Sequence, residues 1–190
     1  QELLTNTANY HEVKISKFQY KELNTKPKLH FNSIKELREL KIDQFEIGDN
    51  TRIASRVKIF GSEENLLEIG ANSYVGMNSL IEGFNAKLII GNHVSIAPNV
   101  NIISGSGPNA SQAMQKVFGT LRGPITIGDH TWIGGNATIM PNVTLGKYCV
   151  VAANSFVNKS YPDYSIVGGT PAKLIRTLTP SEIEILHSND

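Results

Sequence analysis

The stretch Ile127-Gly128-Asp129-His130-Thr131-Trp132, Ile133-Gly134-Gly135-Asn136-Ala137-Thr138, Ile139-Met140-Pro141-Asn142-Val143-Thr144 consists of three hexads in one frame. Each opens on isoleucine, carries turn formers in its middle and places a small residue fifth. One aliphatic guide every six residues matches neither a helix face nor simple strand alternation. It fits a strand of about four residues followed by a two-residue corner, so three hexads close one triangular coil.

The frame extends in both directions. Ile47, Ile53 and Ile59 open one coil, Ile69, Val75 and Ile81 the next, and Ile90, Ile96 and Ile102 a third. After the quoted coil, Leu145, Val151 and Val157 open the fifth. The fifth residues are Thr51, Val57, Ser73, Ser79, Val94, Val100, Thr131, Ala137, Val143, Cys149 and Ser155, all small enough to point inward. Stacked coils pair their backbones at ~4.8 Å spacing and bury the aliphatic guides in columns. The composition is what such a prism needs: 21 Ile, 18 Asn and 16 Gly in 190 residues. Ile favours strands, while Asn and Gly favour corners.

The breaks in the frame are also informative. Ser62 to Glu68 is a short insertion, and Phe84 to Lys87 only turns a corner. Ser104 to Pro124 is an excursion of about twenty residues, and a long loop thrown from a regular solenoid is usually functional. Residues 46–167 therefore form the β-helix, with its loop at 104–124. Residues 1–45 form a cap in which Ser33 to Leu40 reads as a short helix. Residues 168–190 form a tail whose short helix, Ser181 to His187, follows Pro180. Lys plus Arg number 18 against 17 Asp plus Glu, a net charge of +1. That balance argues against a nucleic-acid or polybasic membrane surface. No apolar run approaches the ~20 residues of a membrane span. The single cysteine, Cys149, excludes an internal disulfide framework and reads as a packing residue. With no leader opening the sequence, the expected setting is cytoplasmic.

The hexads, the Ile127 to Gly135 run and the tail Val167-Gly168-Gly169-Thr170-Pro171-Ala172-Lys173-Leu174-Ile175-Arg176 resemble the hexapeptide-repeat acyltransferases. The likeness is to the maltose and galactoside O-acetyltransferase group and its surface-polysaccharide relatives. It implies an all-β fold, a left-handed parallel β-helix of about five coils, and a homotrimer with sites between subunits. It also implies acetyl-CoA as co-substrate and a small-molecule or glycan acceptor. The handedness comes from the resemblance alone, since ordinary parallel crossovers are right-handed. Matched to the family, Gly135 and Ala153 face the pantetheine arm from the second corner of adjacent coils. Asn158 and Lys159 match a Thr-Lys pair that contacts the cofactor. Lys173 and Arg176 match two basic residues near its phosphates. Trp132 matches a residue beside the acceptor.

The family's catalytic histidine stands before a proline at the start of the long loop. Here Gly107 precedes Pro108, and no histidine follows between Asn109 and Gly123. A sugar hydroxyl needs a base, worth roughly 10²–10⁴-fold, whereas an uncharged amine can attack a thioester directly. The polar candidates for the acceptor are Ser104, Ser106 and Asn109. His93 and His130 share a corner position in adjacent coils, in a column with Asn50, Asn72 and Tyr148 spaced ~5 Å apart. His130, two residues before Trp132, is the candidate replacement base. The second corner carries its own column of Asn78, Asn99, Asn136 and Asn154, which reads as a structural ladder. Two alternatives stay open. One is a non-catalytic β-helix that lost activity with its histidine. The other is a γ-carbonic-anhydrase-like metalloenzyme using His93 and His130, whose third ligand position falls on Gly135, so no metal site is expected.

Overall fold

The computed structural model describes residues 29–30, 45–62 and 64–188. The expected helix at 33–40 and nearly all of the 1–45 cap lie outside these residues. Within them the chain is a left-handed parallel β-helix of about five coils. Its three faces are three parallel sheets. The first stacks Phe45–Ile47, Leu67–Ile69, Leu88–Ile90, Ile125–Ile127 and Thr144–Leu145. The second stacks Arg52–Ile53, Tyr74–Val75, Ser95–Ile96, Trp132–Ile133, Val150–Val151 and Ser165–Gly169. The third stacks Lys58–Gly61, Leu80–Glu82, Asn101–Ile103, Thr138–Ile139 and Phe156–Val157, and Leu29–His30 pairs antiparallel with its outer strand.

The register follows the hexads. Ile127 pairs with Ile90 and Leu145, Ile133 with Ile96 and Val151, and Ile139 with Ile102 and Val157. Coils on either side of the long loop are therefore direct neighbours. The guide residues Ile69, Ile81, Ile90, Ile102, Ile127 and Ile139 are fully buried, and all the fifth residues, Cys149 included, are buried with them. Burying each Ile side chain contributes roughly 1.5–3 kcal/mol. Truncating Ile102 to Ala in so dense an interior costs about 2–5 kcal/mol. Burial also pushes the Cys149 thiol above its ordinary pKa, which suits a packing residue rather than a nucleophile.

The tail is no loose appendage. Ser165–Gly169 extends the second sheet, and after the Thr170–Pro171 turn the strand Ala172–Thr177 doubles back antiparallel on it. A helix then runs Pro180–His187, with Thr179 as N-cap and Glu182 closing a capping box. The long loop has structure as well. Gly105–Ser106 pairs antiparallel with Leu121–Arg122, and a short helix, Gln112–Gln115, sits beyond, capped by Ser111.

Candidate donor groove and acceptor loop

Every coil turns on a residue with positive φ, and at the first two corners it is the fourth of the hexad: Asn50, Asn72, His93, His130 and Tyr148 at the first, Arg56, Asn78, Asn99, Asn136 and Asn154 at the second. Asparagine tolerates that conformation, hence its abundance. The second residue is glycine or alanine at both corners because the next coil lies against it. A Cβ on Gly76 would fall 2.5 Å from the Ala97 carbonyl carbon, and one on Gly134 2.5 Å from the Ala153 nitrogen.

The third residue separates the corners. At the first corner three of these residues carry an acceptor that caps the coil before it, while Ala71 and Lys147 do not. Asn92 Oδ1 accepts from the Ala71 N–H (2.8 Å), Asp129 Oδ1 from the Asn92 N–H (2.9 Å) and Asp163 Oδ1 from the Lys147 N–H (2.9 Å). Lys147 Nζ closes a 3.0 Å ion pair on Asp129, which holds that carboxyl below its usual pKa. At the second corner the third residues are Ser55, Met77, Pro98, Gly135, Ala153 and Gly169, and from Met77 onward none has a carboxylate, amide or hydroxyl side chain. Among the described residues no side chain caps the amides of Gly135 and Ala153. Gly135 is bare without being crowded. A Cβ there meets only the Pro98 oxygen at 3.3 Å and the Ala97 Cβ at 4.0 Å, and its φ is not left-handed. The fold itself does not demand glycine at 135. At Gly135 and Ala153 the second corner thus presents a strip of two adjacent backbone amides that no side chain caps, whereas Pro98 has no N–H and the Gly169 N–H donates to Ser155 Oγ at 3.2 Å.

Lys173 stands at one end of this strip, paired in register with Gly168, and is exposed with no carboxylate partner among the described residues. Arg176 is exposed too, but it is not a free cation. Its guanidinium grips Glu182 in a bidentate pair at 2.7 and 2.9 Å, which pulls the Glu182 carboxyl down to about 2. Asn158 and Lys159 lie exposed at the third corner, past the strand Phe156–Val157. Trp132 projects from the second face between Ser95 and Val150 in register, 57% exposed.

His130 belongs to the first corner. Its ring stacks on His93 (4.7 Å between centroids, planes 2° apart) and on Tyr148 (4.7 Å, 4°), and the column ends on Tyr164 and His187. The expected spacing holds. Rings stacked face to face aim their nitrogen lone pairs side by side rather than at a common point, so this pair is arranged for packing and not for chelation. Among the described residues no three His, Cys, Asp or Glu side chains are placed to hold a metal ion.

The loop leaves from the third corner. Ser104 is fully buried at its root and its hydroxyl is spent inside the chain, donating to Glu82 Oε2 (3.0 Å) and accepting from the Asn85 and Ala86 amides (3.1 and 3.2 Å). It is an anchor, not a surface group that meets an acceptor. Ser106 and Asn109 are exposed. Within one subunit, Gly135, Ala153 and Lys173 gather along one corner, while His130, and the loop with Ser106 and Asn109, stand at the other two. The sequence reading passed over Glu82 and Asn85. The signal was there: a glutamate stands second in its hexad, where the other two corners take only Gly or Ala.

Comparison with known proteins agrees with this architecture. The family model described as bacterial transferase hexapeptide (six repeats) matches residues 124–159. A putative acetyltransferase of Saccharomyces cerevisiae is 37% identical over 121 residues, 60% of this chain and 61% of its own. The galactoside O-acetyltransferase of Escherichia coli is 33% identical over 134 residues, 70% of this chain and 63% of its own. The chain thus spans less than two thirds of the length of these curated relatives. The crystal structure of a hexapeptide-repeat-containing acetyltransferase from Vibrio cholerae superposes with a TM-score of 0.63 at 33% identity, covering 76% of this chain and 81% of that one. That protein has also been solved in complex with acetyl coenzyme A. Coils, corners and tail together define a β-helical protein built on hexapeptide repeats. Within that class, the chain belongs to the hexapeptide-repeat acetyltransferases.

Proposed function

We propose that this chain is an acetyl-CoA-dependent acetyltransferase acting on a hydroxyl or amino group of a sugar, free, nucleotide-linked or in a polysaccharide. The observation that carries the reading is the bare second corner. Gly135 and Ala153 present uncapped amides one coil apart, an arrangement suited to the amide carbonyls of a pantetheine arm lying along the strip. Lys173 supplies positive charge at the phosphate end, with Lys159 and, once released from Glu182, Arg176 nearby. Trp132 gives the acceptor sugar an apolar wall beside the strip. The working unit is a homotrimer in which a neighbour's loop, with Ser106 and Asn109, lies against this corner and completes the site. The exposed side chains of Val117 and Phe118, 73% and 57% accessible, give that loop an apolar surface for the contact. The reaction belongs in the cytoplasm, where acetyl-CoA is available. No helix among the described residues is long and apolar enough to cross a membrane.

Without a loop histidine, catalysis rests on orientation and on N–H donors placed around the developing oxyanion. An uncharged amino group attacks the thioester carbonyl with its own lone pair, the thiolate of CoA leaves, and the ammonium proton passes to solvent. The test is a thiol-release assay with acetyl-CoA against a panel of hexoses, amino sugars and amino-sugar nucleotides. Amine acceptors are expected to turn over, and His130→Ala is expected to keep their rate within about twofold. Turnover of alcohols that disappears in His130→Ala would make His130 the base. Absence of both acetyl-CoA binding and turnover would leave a non-catalytic β-helix.

A further inference from the structure

Glu82 ends the third strand of its coil, and its carboxylate is saturated. Oε1 accepts from the N–H groups of Phe84 (3.0 Å) and Asn85 (3.2 Å) and from Asn85 Nδ2 (2.9 Å). Oε2 accepts from the N–H groups of Ser104 (2.8 Å) and Gly105 (3.1 Å) and from Ser104 Oγ (3.0 Å). One oxygen thus holds the corner of its own coil, and the other holds the first residues of the loop, 22 positions on. The loop's far end returns to the same place, since the Gly123 N–H donates to the Ser104 carbonyl at 3.0 Å. A second bolt, Asn142 Nδ2 on the Arg122 carbonyl at 3.2 Å, fixes the exit. The packing is close: a Cβ on Gly105 would fall 2.4 Å from Asn85 Cγ.

A carboxylate has about four lone-pair directions, and six donors occupy them. Glu82 therefore has no lone pair left with which to take a proton from an acceptor, and it is not the missing base. What it does is geometric. An excursion of this length is free to swing unless its root is clamped, and a loop that carries acceptor groups must leave the prism at a fixed angle to be useful.

We propose that Glu82 is the positioning residue of the acceptor loop: by clamping Ser104 and Gly105 to the 83–85 corner it sets the direction in which residues 106–121 project, and through that the binding of the acceptor but not of acetyl-CoA. The proposal rests on the acetyltransferase reading for its kinetic part only. The full chain is compared as wild type and Glu82→Gln, whose amide nitrogen turns N–H donors toward groups from which a Glu82 oxygen accepts. Trypsin cleavage after Lys116 and Arg122, both in the loop, is expected to speed up at least tenfold, with cleavage elsewhere unchanged. The acceptor kcat/KM is expected to fall at least tenfold through KM, the shape of its pH profile unchanged, and the acetyl-CoA Kd to stay within twofold. Loop cleavage at the wild-type rate would overturn the proposal, as would cleavage accelerated equally along the whole chain. Loss of kcat with KM unchanged, together with loss of the acidic limb of the pH profile, would make Glu82 a base and overturn it too. If the wild type turns over no acceptor, the functional reading fails while the proteolysis still decides the clamp. If Glu82→Gln does not fold, Asn85→Ala removes one donor, Nδ2, from Oε1 and none from Oε2, and loop cleavage is expected to rise about threefold, with no rise overturning the clamp.

Discussion

The first and second corners of this β-helix are built on the same hexads, the same left-handed turn conformation and the same glycine or alanine in second place. The turn residue differs in kind, His or Tyr against Asn in the last three coils, and the sharpest difference lies at the third position. Three turns of the first corner fill it with Asn92, Asp129 and Asp163, whose oxygens cap the amide of the preceding coil, and the corner stacks His93, His130, Tyr148 and Tyr164 beside them. The second corner fills it with Pro98, Gly135 and Ala153 and leaves the amides of Gly135 and Ala153 uncapped. One corner spends its hydrogen-bonding capacity on the fold, and the other keeps it for something outside. That contrast is what supports the proposed donor groove at Gly135 and Ala153.

The strongest way to break this contrast is to fill the open corner. Gly135→Leu places a side chain over the strip while leaving the coil contacts almost intact, so acetyl-CoA affinity is expected to drop more than a hundredfold, measured by calorimetry, with Tm changed by only a few degrees. Gly134→Ala, one residue earlier, forces a methyl onto the Ala153 amide and is expected to destabilise the fold instead. If both variants bind acetyl-CoA normally, the groove lies elsewhere.

Next in size is the charge at the end of the strip. Lys173→Ala removes an exposed, unpaired cation, and about a tenfold weaker acetyl-CoA affinity is expected in low salt. The loss should shrink as ionic strength screens the phosphates. A loss that is the same in high salt would point to packing rather than charge.

The sequence carried the prism because the hexad repeats five times, and each repeat tests the frame independently of the others. It carried the two corner columns for the same reason: once the coils are in register, His93, His130 and Tyr148 must stack. It could not carry contacts that escape the period. Glu82 meets Ser104 only because the loop returns to its own root. Arg176 meets Glu182 because the tail doubles back after Gly169 and starts a helix, so a residue read as a free phosphate ligand is already paired. Ser104 looked like a loop residue available to an acceptor, yet the coil frame still holds it and buries it. The site fell short where the chain leaves the repeat.

A smaller effect separates the corners from the other side. Asp129→Ala removes the cap on Asn92 and the partner of Lys147, and about 1 kcal/mol of stability is expected to go with it, because the pair is partly exposed. Acetyl-CoA affinity should not change. The Asp129 carboxyl is depressed by its hydrogen bond to Lys147, with the Asn92 N–H adding to the effect against the opposing cost of burial. A depressed carboxyl contributes fully above its unfolded pKa of about 4 and loses that contribution as pH falls through its lower folded value. Wild type and Asp129→Ala should therefore differ by a constant amount from pH 8 to 5 and converge below pH 4. A gap that survives at pH 2 would assign the stability to side-chain packing.

The smallest effect concerns the cation the tail holds in reserve. Arg176 is bound to Glu182, whose carboxyl sits at about 2, held there first by the guanidinium and then by the Thr179 amide. By the same sign rule, that pairing is complete above the usual carboxylate value and is lost only as pH falls toward 2, so no pH at which acetyl-CoA is assayed will open it. Substitution does so directly. Glu182→Gln keeps an acceptor for the Thr179 N–H, so the capping box and the helix survive, while the charge that holds Arg176 is gone. If Arg176 can serve the phosphates, acetyl-CoA affinity should rise about two- to threefold in low salt, and adding Arg176→Ala should cancel the gain. If affinity is unchanged, Arg176 is a strut for the C-terminal helix, and the phosphate end of the open corner depends on Lys173 and Lys159.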